Sequence, residues 1–143
     1  MHKVVGVDFG AKHIGLSRGD TMVRLATPLN PIVADGDFWP QLLKSIKDES
    51  ADLVVVGLPR DNTGAETSQS AKCRAFAHEL YLRLSDMGVK ADVIMQDESL
   101  TSVVAESAMQ KERHFDPVSL RDGTADSRAA TIILQDYLEA CHG

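Results

Sequence analysis

The sequence has little of what marks membrane-spanning, secreted or zinc-binding proteins. It holds two cysteines, Cys73 and Cys141, and no CxxC pair or Cys/His cluster, which argues against a zinc site or a disulfide framework. No apolar run approaches the roughly 20 residues that a membrane helix needs. The start, MHKVVGVDFG, has neither the apolar region nor the cleavage site of a secretory signal. We therefore expect a cytoplasmic protein with no membrane contact and with two reduced, mostly buried thiols.

Positive charge is also scarce. The 15 Lys and Arg against 21 Asp and Glu give a formal net charge of −6, which argues against nucleic-acid binding because phosphate contacts need Lys and Arg. Net charge nevertheless describes a local field poorly, and a carboxylate cluster attracts phosphate once a divalent cation is bound. With 143 residues and 43% hydrophobic content, the chain suits a single globular domain over residues 1–143.

Hydrophobic patterning predicts five strands and four helices. The predicted strands are Lys3–Phe9, Ile14–Ser17, Met22–Ala26, Leu53–Gly57 and Ala91–Met95, with turns at Gly10–His13 and Arg18–Thr21. The predicted helices are Asp35–Glu49, Thr67–Met87, Ser99–Gln110 and Thr124–Ala140, with polar loops at Leu58–Glu66 and Lys111–Gly123. Three antiparallel strands leading into parallel units give an α/β fold, with a mixed five-stranded sheet and helices on both faces. In such sheets, chemistry gathers at the carboxyl ends of the strands.

Asp8 is an acid inside an otherwise apolar strand. Alternation places it on the face of Val4 and Gly6, and an unpaired buried carboxylate is costly. It needs a hydrogen-bond partner, a cation or a metal; alternatively, it caps the turn at Gly10.

Two further acidic positions are candidates for the same site. Asp97 and Glu98 follow the predicted strand Ala91–Met95, where a carboxylate could instead cap the helix that begins near Ser99. Asp126 lies in the first turn of the last predicted helix, a position that acids favour for dipole reasons. It also falls in one stripe with Ala129, Ala130, Ile133 and Tyr137, which predicts that it faces the sheet. Carboxylates in this number suit Mg²⁺ or Mn²⁺, and two such ions roughly 3.5–4 Å apart can drive phosphodiester cleavage.

Several motifs together resemble those of one family. They are VGVDFGAKHIGLS, TPL at Thr27–Leu29, VVVGLPRDNTG, QDESLTS and DSRAATIILQDYL. In this order they resemble the RuvX (YqgF) family of bacterial ribonuclease H-like proteins, described as pre-16S ribosomal RNA nucleases or Holliday-junction resolvase homologues. The likeness runs from near residue 4 to near residue 138.

The resemblance implies a ribonuclease H-like fold and a two-metal nuclease. It identifies Asp8 as the acid of the first strand, Glu98 as the acid of a D-E-R-x-T segment and Asp126 as the acid of a D-x-x-A-A segment. These three would hold two Mg²⁺ or Mn²⁺ ions, with Asp97 as a reserve ligand. One departure is Ser99, where the family usually has Arg, a residue that pairs with carboxylates or contacts phosphate.

Basic and polar residues near these acids are candidates for substrate binding. Lys12 and His13 lie in the turn after Asp8, and Arg60 and Asn62 lie in the loop after a buried strand. Lys72 and Arg128 complete the set. The alternatives are a solvated hairpin turn, an ordinary surface loop and a solvated helix face.

Three classes of function remain open at this point. The first is a metal-dependent endonuclease that processes the 5′ end of pre-16S ribosomal RNA or cuts branched DNA, as a monomer or a homodimer. The second is an actin-like ATPase or sugar kinase, because D-F-G followed by a basic residue and I-G resembles their phosphate-binding hairpin; these proteins need two lobes, and the chain has room for one. The third is an RNA- or protein-binding factor without catalysis.

Overall fold

The computed structural model describes residues 2–10, 12–59, 67–98 and 127–140, with residues 97 and 98 described as backbone only. Five strands and three helices lie in this part of the chain. In chain order they are β1 (Lys3–Phe9), β2 (His13–Asp20), β3 (Thr27–Val33), α1 (Trp39–Asp48), β4 (Leu53–Pro59), α2 (Ser68–Asp86), β5 (Asp92–Glu98) and α3 (Arg128–Ala140). None of these three helices has the length and apolar content to cross a membrane.

The strands form one mixed sheet in the order β3-β2-β1-β4-β5. The pairs β1–β2 and β2–β3 are antiparallel, whereas β1–β4 and β4–β5 are parallel. This confirms the predicted sheet of three antiparallel strands continued by two parallel ones. Because β1, β4 and β5 run in the same direction, their carboxyl ends meet at one edge of the sheet.

Helices cover both faces of the sheet, as predicted. One core combines alternate residues of the strands with the apolar faces of α1 and α2, including Val5, Val7, Val54 and Leu80. A second core packs Ile133, Leu134 and Leu138 of α3 against Val4 and Val55 on the opposite face. Alternation along each strand therefore assigns every strand residue either to the α1/α2 face or to the α3 face.

The bounds of β1 and α2 follow the sequence closely. β1 spans the seven predicted residues. Helix α2 begins at Ser68 because the Thr67 side chain accepts a hydrogen bond from the backbone N–H of Ser70, and the Ser70 hydroxyl accepts one from the Thr67 N–H. This reciprocal capping satisfies two backbone donors at the start of the helix.

The predicted third strand was placed wrongly. Residues 22–26 form a turn and an irregular segment, and β3 lies at Thr27–Val33. The Asp20 carboxylate causes the turn, since its Oδ1 accepts from the N–H groups of Met22 at 2.9 Å and Val23 at 2.6 Å. β2 therefore runs to Asp20, past the turn expected from Arg18 onward. Pro28 and Pro31 are tolerated in β3 because it is an edge strand.

Helix α1 is shorter than expected. It begins at Trp39 rather than at Asp35, with Pro40 in its first turn. The Asp37 carboxylate accepts from the Trp39 N–H at 3.3 Å. The expected helix at Ser99–Gln110, most of the loop Leu58–Glu66 and the loop Lys111–Gly123 lie outside the described residues.

Candidate nuclease site

Asp8 stands in a row of otherwise small residues at the carboxyl edge of the sheet. It is half-buried and belongs to the α3 face, as the sequence predicted. Its partner on β2 is Gly15. On the other side Val7 pairs with Val56, so Asp8 is level with Gly57, which in turn pairs with Gln96 on β5. Neither Gly15 nor Gly57 has a side chain, and both glycines are buried.

The backbone register relates the other two acidic strand positions to Asp8. Val93 and Met95 pack in the core of the α1/α2 face, whereas Ile94 packs in the core of the α3 face. By alternation, position 98 belongs to the α3 face and position 97 to the opposite one. Position 98 pairs with Pro59 and lies two residues beyond Gln96 on the same strand.

Two glycines and a serine let α3 lie close against the sheet. A Cβ at Gly6 would overlap Ser17 Oγ and lie 2.8 Å from the Ala130 carbonyl oxygen, so only glycine fits beneath the helix there. The buried Ser17 hydroxyl donates to the same Ala130 carbonyl at 2.7 Å. Towards the other end of the helix, a Cβ on Gly19 would be 2.9 Å from Leu138 Cδ1. Helix α3 therefore runs antiparallel to β1, with its N-terminus at the carboxyl end of that strand.

Ser127 fixes the N-terminus of α3 next to the row of Asp8. Its side chain is fully buried, and its hydroxyl donates to the Leu29 carbonyl at 2.6 Å and accepts from the Leu16 N–H at 3.2 Å. The pairing of β2 with β3 is irregular between Ile14 and Leu16, so Ser127 supplies a partner to an N–H at a break in the ladder. Leu16 follows Gly15, the residue paired with Asp8.

The residues that are buried along α3 differ from the stripe that the sequence predicts. Its buried members are Ser127, Ala130, Ile133, Leu134 and Leu138. Ala129 and Tyr137, which the sequence placed in the stripe with Asp126, are only partly buried. Asp126 itself lies outside the described residues, and its proximity to Asp8 stays a prediction that the anchored neighbour Ser127 supports.

Three of the predicted substrate-binding residues lie at this end of the sheet. Lys12 is exposed in the β1–β2 turn, where its carbonyl accepts from the Ala34 N–H at 2.8 Å. His13 is half-buried, and its carbonyl accepts from the Gly10 N–H at 3.1 Å. Arg128 is half-buried in the first turn of α3. Lys12 and His13 lie just after β1, the strand that carries Asp8, and Arg128 directly follows Ser127.

Lys72 lies on the other side of the sheet from Asp8. It is an exposed residue of α2, the helix that packs against the α1/α2 face. The start of α2 does reach the carboxyl end of β1, since the Gln69 amide donates to the Phe9 carbonyl at 3.2 Å. Arg60 and Asn62 lie outside the described residues.

No group of three Asp, Glu, His or Cys residues is close enough to hold a metal ion within the described part of the chain. The side chains at positions 97 and 98, and the whole of Asp126, are not in that part. Of the two cysteines, Cys73 is buried, as predicted, and Cys141 lies outside the described residues.

Comparison with known proteins identifies the family. The profile of RuvX, described as Holliday junction resolvase, matches residues 2–140. The chain is 36% identical over 138 residues to a protein of Shewanella oneidensis named "Putative pre-16S rRNA nuclease", covering 95% of this chain and 93% of that one. A protein of the same name from Cronobacter sakazakii is 34% identical and covers 98% and 97%. The chain belongs to the RuvX family.

Solved structures of other proteins have the same fold as this RuvX chain. The RuvC of Thermus thermophilus in complex with a Holliday junction substrate is similar, with a TM-score of 0.51 and 16% identity over 98% of this chain and 95% of that one. The fowlpox virus Holliday junction resolvase has a TM-score of 0.57 and 12% identity over 98% and 99%. The ribonuclease H-like fold expected from the sequence is thereby confirmed.

Sequence reasoning missed three residues that shape this part of the RuvX chain. Sequence patterns give Gly57, Gln96 and Ser127 no role of their own. The pairing of Gly57 with Gln96 requires the register of β4 with β5, which no single strand reveals. Ser127 falls inside the predicted helix Thr124–Ala140, so the sequence gives no signal for its hydrogen bonds with Leu16 and Leu29.

Proposed function

We propose that this chain is a metal-dependent endonuclease, and that its substrate is structured RNA at the 5′ end of pre-16S ribosomal RNA. Membership of the RuvX family and the shared name of the relatives from Shewanella oneidensis and Cronobacter sakazakii support this activity. The proposed catalytic acids are Asp8, Glu98 and Asp126. The whole of residues 1–143 would form one nuclease domain.

The surroundings of Asp8 are the observation that carries the proposal. A half-buried carboxylate at the carboxyl edge of a parallel β1–β4–β5 unit lies between Gly15 and Gly57 and beneath the N-terminal end of α3. A carboxylate inside an otherwise apolar strand is costly unless a hydrogen-bond partner, a cation or a metal compensates its charge. The carboxyl ends of parallel strands are also where such sheets hold their ligands.

The residues present fit a hard divalent cation. Asp8 offers carboxylate oxygen on the α3 face, and position 98 belongs to the same face. Asp126, directly before the anchored Ser127, would be the third ligand. Carboxylate oxygens are the ligands that Mg²⁺ and Mn²⁺ prefer. Asp97 belongs by alternation to the opposite face, which favours Glu98 as the ligand of the two. When bound, such ions activate water and stabilise the leaving oxygen of a phosphodiester.

The chain's own residues would orient the nucleic acid at this site. Lys12, His13 and Arg128 would contact backbone phosphates around the row of Asp8, with Arg60 and Asn62 as outer contacts. The N-terminus of α3 adds the positive end of a helix dipole on the same side. Lys12 and Arg128 would supply positive charge where the substrate approaches, although the formal net charge of the chain is −6. By analogy with the fold, the products would carry 5′-phosphate and 3′-hydroxyl ends.

Branched DNA is the second candidate substrate. It is favoured by the description of the RuvX profile as Holliday junction resolvase. A resolvase would act as a symmetric dimer in order to cut two strands, whereas an RNA-processing enzyme would work as a monomer. Parallel assays on an RNA precursor and a four-way DNA junction separate the two candidates.

Replacing Asp8 by Asn tests the proposal. The substitution keeps the size of the side chain and removes the charge that would hold the cation. With Mg²⁺ and a 5′-extended 16S ribosomal RNA, we expect Asp8→Asn to lower the cleavage rate by at least about 100-fold, in the range typical of losing a group that stabilises the transition state. The rate is measured by gel analysis of the RNA ends.

Asp92→Asn is the matched control, because Asp92 is exposed at the start of β5, at the opposite edge of the sheet. It should cleave at the wild-type rate. A folded Asp8→Asn protein with full activity would refute the nuclease site. RNA binding by the wild type without metal-dependent cutting would favour a binding factor, and tight ATP binding in calorimetry would favour the ATPase-like alternative.

A further inference from the structure

The turn between β2 and β3 carries the three most exposed large apolar side chains of the described residues. Met22, Val23 and Leu25 lie within four residues of one another, and each exposes at least 63% of its surface. Single exposed apolar residues are ordinary on a protein surface, whereas a cluster with polar groups around it marks a contact site. We call these three residues the apolar turn.

Hydrogen bonds hold the apolar turn in one conformation. The Asp20 carboxylate accepts from its first two N–H groups, and the Arg24 N–H donates to the Asp20 carbonyl at 3.0 Å. From α3, the Gln135 amide donates to the Arg24 carbonyl at 3.0 Å and accepts from the Ala26 N–H at 2.9 Å. The exposed side chains therefore stand on a fixed backbone, and a partner binds them without first having to order the turn.

An open cavity of about 340 Å³ lies beside the apolar turn. Val23 and Leu25 form part of its wall, together with Val4. The same surface thus offers a protrusion, the Met22 side chain, and an adjacent hollow with apolar walls. A two-fold dimer needs a surface of this kind, because each copy must supply both halves of the contact.

The charges at the cavity favour a second copy of this chain as its occupant. Lys3 and Arg18 supply two positive charges there, and Asp20 and Glu49 supply two negative ones. Arg18 and Glu49 form an exposed ion pair, with Nη1 3.5 Å from Oε1. The whole chain has a formal charge of −6, so two copies can approach most easily through a surface that is neutral. A neutral surface also lacks the excess of positive charge that nucleic acid requires.

This surface lies at the opposite edge of the sheet from Asp8. Lys3 pairs with Asp20 at the amino end of β1, whereas Asp8 pairs with Gly15 near the carboxyl end. A rise of roughly 3.3 Å per residue places Lys3 and Asp8 about 17 Å apart along the strand. A contact at the apolar turn therefore leaves the carboxyl edge of the sheet open.

We propose that the apolar turn and the adjacent cavity form a self-association surface, through which two copies of this chain pair about a two-fold axis. The Met22 side chain of each copy enters the cavity of the other, where it contacts Val23 and Leu25. Burial of apolar surface drives the contact, and the mixed charges around the cavity fix its orientation. The proposal does not depend on the nuclease activity.

Sedimentation velocity of the full-length protein tests the proposal. Because the contact is small, we expect a weak dimer whose population rises with protein concentration over roughly 1–300 μM. Val23→Glu places a charge in the wall of the cavity and should raise the dimer Kd by at least about tenfold. Leu25→Lys introduces the opposite charge and should have the same effect, which separates loss of the apolar contact from a change in net charge.

Val33→Glu is the matched control. Val33 is 57% exposed and ends β3 at the carboxyl edge of the sheet, far from the apolar turn. The variant makes the same change of side chain as Val23→Glu and should dimerise like the wild type. All three variants replace exposed side chains, so their melting temperatures should stay at the wild-type value.

Crosslinking identifies the surface independently of these variants, and decides the matter if they do not fold. A photoreactive amino acid replaces Met22 in an equal mixture of ¹⁴N- and ¹⁵N-labelled protein. We expect crosslinked peptides of mixed isotope content that join position 22 to the segment 18–27 of the other copy.

A wild-type protein that stays monomeric over the whole concentration range overturns the proposal. So does a dimer that Val23→Glu and Leu25→Lys leave intact, because its contact then lies elsewhere on the molecule. Crosslinks from position 22 only to residues 141–143 of the same copy would also contradict it, since the chain's own terminus would then cover the apolar turn.

Discussion

Single hydroxyl groups determine where the last helix meets the sheet. Ser17 reaches the Ala130 carbonyl from β2, and Ser127 reaches both Leu29 and Leu16 from the start of α3. Both serines are fully buried, so neither group can exchange its partner for water. These hydrogen bonds hold the helix terminus over the edge where Asp8 lies, which connects the packing of the fold with the geometry of the proposed site.

Ser127→Ala should lower both stability and activity. The substitution leaves the Leu16 N–H and the Leu29 carbonyl without their hydroxyl partner, and unsatisfied buried groups cost about 1–3 kcal/mol. We expect the free energy of unfolding in urea to fall by that amount. Cleavage should slow as well, because the N-terminus of α3 would no longer be fixed beside the row of Asp8.

The control for this prediction is Ser85→Ala. Ser85 is exposed near the end of α2, where alanine should change stability by less than about 0.5 kcal/mol. A Ser127→Ala protein as stable as Ser85→Ala would show that water or a backbone shift replaces the two hydrogen bonds.

At the scale of elements, sequence patterns predicted well those strands and helices whose signals are local. The run of β-branched residues in β1 and the reciprocal cap at Thr67 and Ser70 are such signals. The sequence predicts a strand at Met22–Ala26 in place of β3, because Met22, Val23 and Leu25 are apolar residues typical of strands. In the structure their side chains are 77%, 69% and 63% exposed. The hydrogen bonds of Asp20 and the edge position that admits Pro28 and Pro31 are set by the sheet as a whole.

In the candidate site too, some features follow from local sequence patterns and others depend on the register between strands. Alternation along one strand was enough to place Asp8 on the face opposite Val5 and Val7, and the structure confirms it. The relation of Asp8 to Gly57 and Gln96 depends on two parallel registers between strands that are far apart in sequence. Local patterns cannot supply such registers, because a shift of one residue would move every side chain to the other face.

The close packing of α3 on the sheet predicts different losses of stability for alanine at Gly6 and at Gly19. Gly6→Ala would place a Cβ against Ser17 Oγ, the Ala130 carbonyl and Leu134 Cβ, all within 2.8 Å. Overpacking of this kind costs about 1–3 kcal/mol. Gly19→Ala meets the end of the Leu138 side chain at 2.9 Å and the Leu25 carbonyl at 3.0 Å, where the leucine can move aside.

We therefore expect Gly6→Ala to be the more destabilising of the two, with a lower midpoint of urea unfolding. It should also reduce cleavage more, since lifting α3 displaces the end that carries Arg128. Equal midpoints for the two variants would mean that the helix adjusts freely, contrary to the tight seat described above.

For the whole molecule, the proposed cation site explains how an acidic chain could bind an anionic substrate. Of the 21 Asp and Glu, three are proposed to bind divalent cations at one edge of the sheet, and a bound cation would reverse the sign of the local field there. Lys12, His13 and Arg128 lie at the same edge.

A crystal structure of the protein soaked in Mn²⁺ tests the convergence of the three acids most directly. The account predicts anomalous peaks at the carboxyl edge of the sheet, roughly 3.5–4 Å apart if two ions bind, with Asp8 coordinating an ion that it shares with Glu98 or Asp126. A map without manganese at Asp8, or one in which the oxygens of these three residues are too far apart to share an ion, would contradict it.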